Sequence, residues 1–506
     1  MAQGVLPFQY EAEPCSSGLT GFAGLGVYLD LIEVSGLLAA VRRHVRVAGQ
    51  QGWLDVQMIV AVIALNLCGG ERVEDLERLE ADAGFAAVLR GVERRLLVRC
   101  ERRRMKSRFR RGRGRAVPSP SALSAWLERF HDAGEEARRE ATRSCGRAFI
   151  PRPSAGLLGL WRVNQALLSF LQGHRRQDAA TLDMDATLVE SHKRQALYCY
   201  KKFKAYQPLN SWWAEQEVIV HSEFRDGNVP AGHQQLRVLK ASLAALPAGV
   251  DRVYLRSDTA GYQKDLLLYC GEGQDEGFGV IEFAVGVDVT AEFRRAALAV
   301  PEAEWRPLDR IFEGERQETG QEWAEVCYVP NWAGDSKKRA DYRFLAIREP
   351  LEQLDLGDAD QLPFPTEEFA AKGRTKLFGL VTNRELPGEE VIRWYRERCG
   401  KSEQAHAVMK HDLAGGTLPS GLFGANAAWW AIMVLAHNLN AVMKRLVLGP
   451  AWVARRMKAL RLALIALPGR VIRHARRLII RLAAEAGLDL VLSARRKILA
   501  LARGPT

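Results

Sequence analysis

Hydrophobic residues fall along the chain in two rhythms, and the change between them divides it. Up to about residue 150 the rhythm is helical. Residues 54–68, LDVQMIVAVIALNLC, are apolar on nearly every side, which predicts a buried helix stopped by Gly69 and Gly70. Shorter amphipathic pieces follow at 73–79 and 85–89, and at 121–130 (SALSAWLERF) a serine opens another short helix. Between them runs an arginine-rich stretch, 94–115. It contains Gly112 and Gly114 and ends at Val117-Pro118-Ser119-Pro120, which predicts a flexible loop.

Near residue 177 the period shortens. A helix at 157–171 leads to AATLDMDAT, residues 179–187, which alternates like a strand and ends on acids. Two more strands are predicted at 198–206 and 217–224, with turns at Pro208-Leu209-Asn210 and Asp226-Gly227-Asn228. A helix at 234–246, a strand at 253–258 ending on Asp258, a helix at 262–270 and a strand at 277–287 complete this part. Three strands, a helix, a strand, a helix and a strand is the order of an RNase H-like α/β fold. Its mixed five-stranded sheet places the end carboxylates of two neighbouring central strands side by side. Residues 290–387 lean to β (323–329, 342–348, 377–381), and 302–368 carry 17 acids against 8 bases, as expected of a domain inserted into that core. Residues 389–413, EEVIRWYRERCGKSEQAHAVMKHDL, predict a long helix or two abutting ones. From 426 onward the chain predicts helix again, broken at Pro468-Gly469, with arginine-rich helices at 470–481 and 495–497.

Charge changes this picture once it is located. The net charge is +12, but 94–115 alone carries +11 and 441–506 carries +13, leaving −12 for the remainder. An acidic body with two strongly basic segments is built to meet a polyanion, because such segments release counterions on binding nucleic acid. Nothing suggests lipidation, and the longest apolar run, 427–436, is too short to span a bilayer. The N-terminus lacks the pattern of a signal peptide, and the eight cysteines are scattered with no CxxC pair. A reducing, cytoplasmic compartment is expected, without a zinc site or disulfide framework. The expected organisation is a helical DNA-binding domain at 1–150, the first part of the RNase H-like core at 151–289, the β-rich acidic insertion at 290–387, a catalytic helix at 388–425 and a basic helical region at 426–506.

Three acids stand where phosphodiester chemistry needs them. Asp185 and Asp258 end strands, and Glu403 lies on the basic helix seven residues before Lys410, so both return to one face. Three convergent carboxylates are a sufficient oxygen set for hard divalent ions such as Mg²⁺. The ordinary reading of each acid alone is a surface residue, and of the helix a solvated face with ion pairs.

These motifs together resemble the DDE transposases of bacterial insertion sequences, in the cut-and-paste group with a Tyr, Arg, Glu, Lys signature. The residues that carry the resemblance are Leu182-Asp-Met-Asp-Ala-Thr187, Lys204-Ala-Tyr-Gln-Pro-Leu209, Leu255-Arg-Ser-Asp258, and Trp394-Tyr-Arg-Glu-Arg398 through Lys410. It covers roughly 150–440. The resemblance implies Asp185, Asp258 and Glu403 as catalytic metal ligands, with Asp185 selected over Asp183 by the threonine two residues later. It implies Tyr395, Arg398 and Lys410 as DNA contacts, two Mg²⁺ ions (Mn²⁺ substituting), a homodimer on paired inverted-repeat ends joined to target DNA, and a nucleoid-associated bacterial protein. One interval departs from the pattern: four residues, Cys399 to Ser402, separate Arg398 from Glu403 where the family usually has three. A bulge at Gly400 or a fresh helix start capped by Ser402 would absorb the extra residue. Trp323 or Trp332 would stack on an unpaired base or pack in a core, and Trp212 and Trp213 would equally pack. A general RNase H-like nuclease or resolvase, or a catalytically silent DNA-binding relative, are the competing readings.

Overall fold

The computed structural model describes residues 18–49, 52–108, 114–145, 147–312, 315–330, 342–351, 366–475, 477–482 and 485–503. Helices α1 (Leu25–Val34), α2 (Asp55–Cys68), α3 (Ala83–Leu96) and α4 (Ala155–His174) lead to the sheet. Gly69 ends α2 with a left-handed φ of +86°, as the Gly-Gly signal requires. Strands β1 (Ala179–Ala186), β2 (Leu209–Trp213) and β3 (Val218–Glu223) form an antiparallel meander. Strand β4 (Arg252–Ser257) then lies parallel to β1, and β5 (Glu282–Val287) parallel to β4. The run Leu182-Asp-Met is buried at every position because β1 is flanked by strands and covered on both faces.

Beyond β5 the chain extends the same sheet. Strands β6 (Glu322–Val326), β7 (Arg343–Pro350) and β8 (Gly373–Thr382) continue it, with β8 antiparallel to β5. Among the described residues the sheet has ten strands, in the order Arg306–Pro307, β6, β7, β8, β5, β4, β1, β2, β3, with Thr366–Phe369 paired to β8. Most strands of the acidic, β-leaning stretch therefore extend the central sheet, while Arg310–Phe312 and Glu315–Gln317 pair as a separate two-stranded sheet. Residues Phe344–Ile347 are buried, and their apolar side chains continue the central sheet's faces.

Helices α5 (Gly388–Arg396) and α6 (Lys401–Ala407) follow, then α7 (Phe423–Val442), in which all twenty residues are buried. By length and composition α7 passes for a membrane span, yet it packs against α2, α4, β3 and the helix Pro120–Glu128. Its polar residues are paired inside the core. Asn438 Nδ2 donates to Asn164 Oδ1 at 2.7 Å and to the Ile219 carbonyl at 2.8 Å, while its Oδ1 accepts from Ile219 N at 2.9 Å. One amide thus joins α7, α4 and β3. The N-terminal helices share a continuous apolar core with the sheet and the C-terminal helices, from Leu25 to Ile498, so the described residues of 1–150 pack into that common core.

Four local expectations are corrected. Residues 470–481 are not helical: β9 (Gly469–His474) and β10 (Arg477–Leu482) form a hairpin, and helix α8 (Glu485–Leu501) comes after it. The alternation in RVIRH and RLIIRL is strand-like, and its β-branched residues prevail over the helix propensity of arginine. Within the arginine run, Arg99–Arg108 is a helix and not a loop, while 109–113 lie outside the described residues. The second core strand starts at Leu209, where a turn was expected, because Pro208 opens a strand without needing its missing donor. Residues 198–206 instead contribute Leu197–Tyr198 and Lys204–Tyr206 to a separate three-stranded sheet.

Candidate active site

Strands β1 and β4 are in parallel register, with Asp183 beside Arg256 and Met184 beside Ser257. One residue further along, Asp185 and Asp258 come to the same end of these neighbouring strands. Period-2 alternation turns Asp183 and Asp185 to one face, but their environments differ. Arg256 Nε and Nη2 donate to the two Asp183 oxygens at 2.6 and 2.9 Å, and both side chains are 1% exposed. Arg256 Nη1 also donates to the Trp394 carbonyl at 2.6 Å and to Glu397 at 3.1 Å, so one guanidinium ties β1, β4 and α5 together. The Asp185 carboxylate is not sealed in this way. It is 20% exposed and lies 4.0 Å from Arg398 Nη2 and 3.8 Å from His406 Nδ1.

Asp258 caps the turn Thr259–Gly261, accepting from Ala260 N at 3.1 Å. Gly286, near the end of β5, is required there. A Cβ on it would lie 3.0 Å from Thr259 N and 3.2 Å from the Tyr395 hydroxyl, so the missing side chain lets Tyr395 reach the Asp258 turn. Burial pushes the Tyr395 phenol pKa up.

The sequence between Arg398 and Glu403 is resolved by a break. Helix α5 stops, and Gly400, at φ +79°, starts α6. The extra residue is taken up at that left-handed glycine, and Gly400 is the N-cap in place of Ser402. Ser402 is buried, and its hydroxyl donates to the Arg398 carbonyl at 3.5 Å and to Glu403 at 3.3 Å. Glu403 is exposed on the first turn of α6.

The Asp185 pKa is raised to about 6, first by burial and then by the negative charges of Asp258 and Glu403, with Arg398 opposing. Among the described residues no three His, Cys, Asp or Glu side chains already stand close enough to grip a metal ion. The donor set nevertheless fits a hard divalent ion: three carboxylates, no thiolate, and a mutual repulsion that such an ion would relieve.

Of the residues expected to touch DNA, Arg398 is buried against Tyr395 and Asp185. Lys410 sits in the π-helical turn Val408–Asp412, half-buried, and donates to the Leu188 carbonyl at 3.4 Å. Burial, with Lys201 nearby, lowers its pKa. Trp323 is buried between α5 and the sheet, and Trp212 and Trp213 are buried on β2, so these three pack; Trp332 lies outside the described residues.

Two neighbours escaped the sequence reading. His406 is buried three residues after Glu403, the spacing that shares a helix face, and its Nε2 meets Asn210 Nδ2 at 3.1 Å. Asn210 is the residue paired with Asp185 across β1 and β2. Asp288 follows β5 as Asp258 follows β4, and burial together with the Asp258 charge raises its pKa. A strand ending in an acid was the available signal for it.

The chain matches the family model described as transposase DDE domain group 1 over residues 26–503. No curated protein matches it. A cryo-EM structure of a piggyBac transposase synaptic complex with hairpin DNA aligns over 96% of this chain and 83% of that one, at 11% identity and a TM-score of 0.39.

Proposed function

We propose that this chain, which belongs to the transposase DDE domain group 1 family, cleaves the ends of its own mobile element and joins the freed 3′-hydroxyls to target DNA through Asp185, Asp258 and Glu403. Transposition, with metal-dependent cutting of DNA, is the family's activity; the residues, the paired ends and the joining step are our reading. The observation that carries it is the pairing of two acids at the ends of neighbouring strands. Asp185 and Asp258 end adjacent parallel strands, and Glu403 is close enough for its charge to raise the proton affinity of Asp185. The strand order β3-β2-β1-β4-β5, antiparallel and then parallel, supports an RNase H-like core inside the larger sheet.

Asp185, Asp258 and Glu403 would hold the divalent ions, Mg²⁺ or Mn²⁺ and two per site. The chemistry such ions supply is activation of an attacking water or 3′-hydroxyl and stabilisation of the leaving oxygen. The protein's own groups set the stage for it. Arg398, buried beside Asp185, favours the ionised carboxylate that a metal needs. Asn210 holds the His406 ring against the same carboxylate. Lys410 uses one donor on Leu188, and an ammonium carries three, so it can also take a phosphate oxygen of the strand being cut. Tyr395, wedged between Gly286 and the Asp258 turn, would line the path of the flanking nucleotide. A homodimer would hold two ends together.

The test is a joining assay. Full-length protein is incubated with a duplex bearing an exposed 3′-hydroxyl at the element boundary and a supercoiled plasmid. Covalent end-to-plasmid product in Mg²⁺, lost in EDTA, supports the reading. Cutting at arbitrary sequence with no joined product would replace it with a general nuclease, and binding without chemistry with a silent relative.

A further inference from the structure

The hairpin of β9 and β10 lies outside the carboxylate site, and its two faces have opposite character. Residues paired across an antiparallel ribbon share a face. One face carries Gly469 opposite Leu482, Val471 opposite Ile480 and Arg473 opposite Leu478. The other carries Arg470 opposite Arg481, Ile472 opposite Ile479 and His474 opposite Arg477. The first face is seated. Val471 is buried, a Cβ on Gly91 of α3 would come within 2.3 Å of Leu478 Cδ1, and one on Gly26 of α1 within 3.7 Å of Ile480 Cδ1. Strand β9 is covered further by Leu19–Thr20, which leaves β10 as the open edge.

The outer face has no such cover. Arg477 and Arg481 are exposed, and Ile479 between them is 39% exposed. Among the described residues no carboxylate pairs with Arg477 or Arg481. Arg477 and Arg481 flank the exposed Ile479 along one edge strand, and two exposed guanidiniums around an apolar residue suit a face covered by an anion.

We propose that this ribbon is a second DNA-binding surface, laid along the major groove of duplex DNA with Arg477 and Arg481 on backbone phosphates and the Ile472–Ile479 pair toward the base edges. The geometry suits it. The major groove, about 12 Å wide, admits a two-stranded ribbon. Arg477 and Arg481 are four residues apart on one strand, about 13 Å, a span that runs past several phosphates. The proposal rests on the transposase reading, since that is what makes DNA the polyanion. The ribbon would grip duplex away from the cut and so contribute to holding an end in place during chemistry.

The experiment is fluorescence anisotropy of full-length protein on a labelled duplex taken from the DNA flanking the gene, measured across a salt series. Wild type is compared with the double variant Arg477→Gln/Arg481→Gln. Each lost phosphate contact lowers the slope of log affinity against log salt by about 0.9, so the double variant is expected to lose about 2. At salt near 0.15 M, affinity is expected to fall about ten- to thirtyfold. Its thermal unfolding should match wild type, because both side chains are exposed and, among the described residues, have no ion-pair partner. Strong wild-type binding with an unchanged slope and affinity in the variant would overturn the ribbon assignment while leaving the transposase reading intact. So would unchanged DNA binding with lost sedimentation on anionic phospholipid vesicles, which would make the face a membrane contact. Failure of wild type to bind any duplex would overturn the underlying reading as well.

Discussion

Asp183 and Asp185 are two residues apart on one strand face, and their surroundings differ in a way that a pair of substitutions separates. Asp183→Asn strands the Arg256 guanidinium, which is 1% exposed and bonded to both Asp183 oxygens. Removing one partner of a buried pair costs about 3–5 kcal/mol. Strand β4, with Asp258 at its end, and helix α5, with Tyr395, should loosen together because Arg256 also holds the Trp394 carbonyl. Asp185→Asn should do the reverse. The Asp185 pKa is raised from 3.8 to about 6, so its stabilising contribution is complete below the unfolded value and lost as pH rises through about 6. At pH 8 without metal the ionised carboxylate is therefore a liability of up to about 3 kcal/mol, which the amide removes. Chemical denaturation at pH 8 in EDTA reads both: Asp183→Asn well below wild type, Asp185→Asn equal to it or above. Adding Mg²⁺ should then stabilise wild type by mass action and leave Asp185→Asn unmoved. Equal destabilisation by both substitutions, or a neutral Asp183→Asn, would refute the assignment of Asp183 to structure and Asp185 to the site.

Other outcomes follow from single positions. Gly400→Val forces a branched residue to φ +79° at the start of α6; it should cost about 1–3 kcal/mol and reduce DNA cleavage by displacing Glu403, whereas an unchanged cleavage rate would deny the break its role. Gly286→Ala places a methyl 3.2 Å from the Tyr395 hydroxyl, so cleavage should fall with duplex affinity largely kept, as kinetics beside binding would show. His437 is buried in α7 beside Trp212, and burial drops its pKa from 6.5 to about 3. Stability that depends on the neutral ring is present above pH 6.5 and lost as pH falls toward 3, by about 1.4 kcal/mol per unit. His437→Leu should flatten the acid limb of an unfolding-against-pH curve, and an unaltered limb would show that His437 is not its source.

Much of this was legible in the sequence for a physical reason: strand alternation and chain order are local. Asp185 and Asp258 were singled out because each ends a short apolar run, and Glu403 because Lys410 returns to its face. Choosing between Asp183 and Asp185 needed either the threonine spacing or Arg256, seventy-three residues away, and only the structure supplies the second. The break was foreseen as a bulge at Gly400 or a fresh helix start, but its cap was expected at Ser402, since a left-handed glycine leaves no polar side chain to notice. The β9–β10 ribbon was read as helix because arginine is a good helix former, and period-2 burial shows only when α1 and α3 cover one face. The insertion's strands were visible one by one. Their joining of the central sheet was not, because edge pairing is a long-range choice. Asp288 was passed over although it follows its strand as Asp258 does, and His406 went unread because its contact with Asn210 lies on a strand distant in sequence.

The central claim is that Asp185, Asp258 and Glu403 act as one metal-holding set. It is tested most directly by strand cleavage of a labelled duplex carrying the element's own ends, in Mg²⁺ and in EDTA. Wild type is compared with Asp185→Asn, Asp258→Asn and Glu403→Gln, and duplex binding is measured in parallel. The account predicts metal-dependent nicking at the boundary by wild type, abolished in all three variants while each still folds and binds DNA. A folded Asp258→Asn protein that nicks at the wild-type rate in Mg²⁺ would contradict it.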